Sequence, residues 1–165
     1  MSTRTTKSNA GFTIPELLLV LTITAMLLAA VTVAFNASIT NYRENEDIFR
    51  TVNKARQALF RITTQIRTGL VDPNDASSQD RCTLLCADGS EITYQYNSAD
   101  NKLYLHNNDT GIDYVLCDNV TAMTFEKDND TPTGDIKNVQ ISITVASGDI
   151  ERSLSSAAVV RKVLE

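Results

Sequence analysis

At 165 residues, with 42% hydrophobic and 21% charged side chains and a formal net charge of −5, the chain has room for one small globular domain beside one membrane segment and no room for a second domain. A single histidine and three cysteines leave few groups for nucleophilic or metal chemistry, and the acidity is uneven. Residues 36–68 carry six bases against three acids, whereas from Gly69 onward sixteen acids face seven bases, so the carboxy-terminal part lacks the basic stripe that nucleic acid requires.

The first eleven residues are polar, with Arg4 and Lys7. Phe12 to Phe35 then forms a run of 24 residues with one charge, Glu16. At about 1.5 Å per residue such a run reaches roughly 36 Å as a helix, enough to cross a bilayer. A secretory signal cut near Ala30 or Ala34 is the competing reading. It would need an apolar core of about 7–15 residues, shorter than this one.

The helical pattern continues past the apolar run. Ile39, Tyr42, Phe49, Val52, Leu59, Ile62, Ile66 and Leu70 draw one stripe, and no Gly or Pro interrupts from Glu16 to Thr68, so one helix is expected over Thr13–Thr68. Gly69 and the polar loop Asp72-Pro73-Asn74-Asp75 stop it. Alternation then takes over: Ile92, Tyr94 and Tyr96 in one strand, Val139, Ile141, Ile143 and Val145 in another. Shorter strands are expected at residues 82–86, 102–106, 112–116, 120–127 and 152–160, joined by turns at Asp88-Gly89, Ala99-Asp100-Asn101, Asn107–Gly111 and Ser147-Gly148. The predicted fold is α+β: a long helix against an antiparallel meander with one wet face.

Gly11-Phe12-Thr13-Ile14-Pro15-Glu16, leading into the apolar run, resembles the class III signal of type IV pilins and type II secretion pseudopilins. The resemblance implies cleavage between Gly11 and Phe12 by a prepilin peptidase, N-methylation of Phe12, storage in the cytoplasmic membrane as a single-pass protein with its head outside, and packing into a filament with other pilin or pseudopilin subunits through an inner-membrane assembly platform. It divides the chain into a leader (1–11), a transmembrane half-helix (12–35) and a head that includes the amphipathic half-helix (36–165). It also pairs Glu16 with the Phe12 amine of a neighbouring subunit, while a bilayer-edge position with the carboxylate reaching water is the alternative. Chemistry agrees at each place: Gly11 leaves the backbone open to a protease, and Pro15 falls in the first helical turn once Phe12 is the terminus.

In the head, Ile92-Thr93-Tyr94-Gln95-Tyr96, Leu103-Tyr104-Leu105, Val115-Leu116-Cys117-Asp118-Asn119-Val120 and Val159-Val160-Arg161 are similar in order to J-type pseudopilins and W-type minor pilins, which implies a minor subunit at the tip. Against this stand an adhesive or ligand-binding tip pilin and a membrane-anchored protein unrelated to filaments.

Outside the cytoplasm one disulfide is open to Cys117, with Cys82 or Cys86 as partner. Cys82 and Cys86 on one strand lie roughly 13 Å apart, beyond the ~7 Å a disulfide spans, and buried free thiols are the alternative. No fourth ligand stands at zinc spacing. His106 alternates with Leu105 as a solvent-facing strand residue. Asp128-Asn129-Asp130 with Gly134-Asp135 offers oxygens to calcium, but Pro132 breaks the EF-hand spacing and a solvated loop is the plainer reading. No phosphate loop, paired catalytic carboxylates or cofactor signature occurs, so the chain reads as a non-enzyme without cofactor or metal, and the ATPase that drives assembly in this family is another polypeptide.

Overall fold

The computed structural model describes residues 11–128 and 136–161. The chain falls into two units, residues 1–43 and 44–165. Helix α1 (Ile14–Thr68) is a single element of 55 residues, begun and ended within one residue of the expected limits. In the first unit its side chains are exposed all round, with Ile39 alone partly covered among the described residues.

In the second unit the helix has an interior face: Ile48, Thr51, Ala55, Ala58, Leu59, Ile62, Thr63 and Ile66 are buried. These positions recur at threes and fours, the spacing of one helical face. The expected stripe was partly misplaced, because Phe49 is 63% exposed and Tyr42, in the first unit, 71%. Ile48 and Ala55 fit the 3.6-residue period through Leu59 and Ile62, and Phe49 stands about 100° round the helix from Ile48. Size misled the reading: a small alanine holds the place where helix and sheet approach.

Gly69 ends α1 by close approach. Its amide still donates to Gln65 O, and a Cβ there would sit 2.9 Å from the Leu85 carbonyl oxygen. The chain turns at once into β1 (Leu70–Val71), a short 3-10 turn (Pro73–Asp75) capped by the Asp72 side chain, and β2 (Arg81–Leu85). Then follow β3 (Glu91–Asn97), β4 (Lys102–Asn107), β5 (Ile112–Cys117), β6 (Val120–Asp128), β7 (Asn138–Ser147) and β8 (Ile150–Val159). Every pairing is antiparallel.

The meander is broken into two sheets, β1-β2-β3-β4-β5 and β6-β7-β8, where a single one was expected. The break falls at Asp118-Asn119, where Asn119 takes a φ of 57° and swings the chain off the first sheet. Backbone bonds close the seam: Val120 N–H donates to Asn101 O and Phe125 N–H to Gln79 O. Lys127 adds three more, its Nζ donating to the carbonyls of Asp75, Ser78 and Arg81 at 2.6, 2.6 and 2.7 Å. One core joins both sheets to the helix, with Ile62, Ile66, Leu84, Tyr94, Leu103, Phe125, Ile141 and Ile143 all buried within it.

Candidate functional site

Gly11, Phe12 and Thr13 precede the helix in non-helical backbone, and Phe12 is 78% exposed. Thr13 is the N-cap: its carbonyl receives the Leu17 amide at 3.1 Å, and its own amide points to Glu16 Oε2 at 3.5 Å. That is one arm of a capping box, and Thr-x-x-Glu ahead of an apolar run is its sequence signature, which the reading above missed. Glu16 thus stands at the third helical position, where the free amides and the dipole favour a carboxylate. Pro15 is in the first turn of the uncut chain. The expectation that cleavage is what makes this proline harmless is therefore corrected, because Thr13 already starts the helix beyond Phe12.

Beyond Glu16 the helix presents Leu17 to Phe35 as a continuous exposed apolar surface. Its polar side chains turn inward on the helix: Thr22 Oγ1 donates to Leu19 O, Thr24 to Val20 O and Thr32 to Leu28 O, at 2.7–2.8 Å. Hydroxyls satisfied in this way need nothing from the surroundings, which suits hydrocarbon or an apolar helix bundle. By length and composition this helix can cross a membrane.

In the second unit the cysteines are free thiols, Cys82 and Cys117 buried and Cys86 partly so. Cys82 lies on β2 and Cys117 on β5, with β3 and β4 between them. Three strand spacings amount to about 14 Å, beyond disulfide reach. Burial pushes Cys82 up to about 12 and Cys117 to about 11 from 9.0. It also raises Tyr94 to about 12, and that hydroxyl donates to Gln65 on the helix.

His106 is 27% exposed, with Nδ1 2.5 Å from Asp113 Oδ1 and its ring stacked on Tyr104 at 5.8 Å. It lies on the outer face of the first sheet, across β4 from the core residue Leu105, more covered than a solvated strand residue but on the expected side. Asp75 is the buried acid, 4% exposed, and accepts from Arg81 Nε at 2.9 Å and Thr83 N–H at 3.0 Å. Burial holds the Lys127 ammonium below the ordinary lysine range. Neither residue was singled out in the sequence, since the partners come from separate elements. Among the described residues no three of His, Cys, Asp or Glu converge on a metal position. The Asn129–Asp135 part of the calcium loop lies outside the described residues.

The family model for the prokaryotic N-terminal methylation motif matches residues 6–32. No curated protein and no solved structure matches the chain. The matched span covers Gly11 to Glu16 and most of the exposed apolar run, and the rest of the chain builds the helix-on-antiparallel-sheet architecture of a pilin. The chain thus carries the prokaryotic N-terminal methylation motif, a type IV pilin family signature, ahead of a long apolar helix on a pilin-like α+β fold.

Proposed function

We propose that this chain is a structural, non-enzymatic subunit, cut between Gly11 and Phe12 by a prepilin peptidase, methylated at Phe12, and assembled into a type IV pilus or type II secretion pseudopilus as a minor component near the tip. The observation that carries the reading is the methylation motif over residues 6–32 running directly into a helix whose apolar side chains stay exposed among the described residues. Such a helix is stable in lipid before assembly and equally so among identical apolar helices afterwards, so transfer between them costs little. The leader is then residues 1–11, the transmembrane half 12–35 and the head 36–165, with the head outside the cytoplasmic membrane and the assembly platform and other pilin-fold subunits as partners.

Glu16 has two tasks in this reading. In the membrane it caps its own helix, and in the filament it meets the Phe12 amine that cleavage creates on a neighbour. Mass spectrometry of the mature amino terminus tests the proposal: a methylated Phe12 supports it, and a start near Val31 or Phe35 ends it.

A further inference from the structure

Among the described residues four strand edges close the two sheets, and three of them are guarded. β1 is two residues long. β5 meets β4 with a register shift between Leu103 and Tyr104 and carries Asp113. β6 gives its Val120 and Phe125 amides to Asn101 O and Gln79 O across the seam. Shortness, irregular register, charge and cover are the usual protections of an edge. β8 has none of them: it pairs with β7 through ten consecutive positions without a shift, and Ser153 to Val159 holds neither a charge nor a proline. A regular, uncharged edge of that length is a template for another strand.

The surface beside this edge is unfinished too. Two hollows of about 380 and 410 Å³ between α1 and β8 share Arg56 and Leu154 and so form one channel. Phe49, Arg56, Phe60 and Arg67 line it at steps of seven, four and seven residues, a total of five helical turns, so they stand in one straight row. Phe49 and Phe60 are 63% and 74% exposed. Arg56, Arg67 and, from β8, Arg152 are the charged lining; no acid lines the channel, and none of the three is in an ion pair among the described residues. Unpaired guanidiniums gathered beside exposed aromatic rings favour a partner that brings carboxylates and apolar side chains together.

We propose that β8 is a strand-addition site: an extended, acidic segment of a different polypeptide pairs with its free edge as the fourth strand of the second sheet, laying apolar side chains over Phe49 and Phe60 and carboxylates on the arginines. Main-chain bonds along the edge supply affinity, and the alternate side chains that face α1 choose the partner. A second copy of this chain is the wrong occupant, because β8 against β8 brings two sets of unpaired arginines onto one seam. Each copy offers one such edge to an unlike partner, so the contact does not repeat along a row of copies. It agrees with the minor-subunit reading and does not depend on it.

The test uses the purified full chain in detergent and a synthetic ten-residue peptide with threonine at odd positions and valine and glutamate in turn at even ones. This probe is expected to slow hydrogen exchange at the β8 amides and to bind about tenfold tighter than the same peptide with lysine for glutamate. Arg152→Glu and, separately, Arg56→Glu, both at exposed positions, should abolish that preference. A strand binds by one edge, so N-methylation of one alternate set of peptide amides should abolish the protection and of the other set should spare it. In cells, a photo-cross-linking amino acid at Ser155 should join β8 to a carboxylate-rich stretch of another polypeptide, with a yield about tenfold lower in Arg152→Glu. Equal binding of the two peptides, protection away from β8, indifference to the arginine variants or to N-methylation, a cross-link within one chain, to a second copy or to lipid, or no cross-link at all would overturn the proposal.

Discussion

Asp75 and Lys127 hold the long polar loop of the head from two separate elements. The Asp75 carboxylate fastens the start of β2 from one side, and the Lys127 ammonium gathers three loop carbonyls from the other. Removing either leaves desolvated partners behind, which is costlier than never having had the pair. Asp75→Ala and Lys127→Met should each destabilise the head by about 3 kcal/mol, read as a lowered midpoint in thermal unfolding of the full chain in detergent. At the other end of the protein, Glu16→Ala should be cleaved at Gly11 as the parent is, yet enter filaments poorly. Fractionation of cell-bound and sheared material measures this, and incorporation equal to the parent would remove the filament role from Glu16. Cys86 should react with a small maleimide in the folded chain while Cys82 and Cys117 stay protected until unfolding, since burial keeps both protonated.

At the scale of elements, the contact between helix and sheets is where pH acts. Cys82, Cys117 and Tyr94 ionise near 9 to 10 when unfolded, but in the fold they hold their protons to about 12, 11 and 12. Raised acidic groups of this kind contribute stability that is complete below pH 9 and is lost as the pH climbs from 9 toward 12. The melting temperature should therefore fall along that limb, less steeply in Cys82→Ala. The acid limb has a different source. Lys54 Nζ sits 3.0 Å from both oxygens of Asp118, tying the helix to the turn between β5 and β6, and this hydrogen bond lowers the Asp118 carboxyl below its ordinary 3.8. A depressed acid contributes stability present above 3.8 and lost as the pH drops through the folded value, so Lys54→Met should flatten the loss below pH 4. Both groups are largely exposed, so this slope is shallow beside the alkaline one. Gly69→Ala, which presses a methyl on the Leu85 carbonyl, should lower the midpoint further by forcing helix and strand apart.

For the whole molecule, the long helix was legible in the sequence: composition and the absence of Gly or Pro from Glu16 to Thr68 named it and its limits. Alternation named the strands, and all seven expected strands lie within two residues at each end because a half-buried strand writes its period into the chain. The signature extends only to residue 32, and from there the sequence is a pattern of hydrophobicity. That pattern says which residues are inside but not which inside residues meet. Hence the division into two sheets at Asn119, the exposure of Phe49 and Phe60, the buried Asp75 and the separation of Cys82 from Cys117 by two strands were all decided by tertiary structure. Each depends on partners far apart in the chain, brought together by register and packing that no local run of residues encodes.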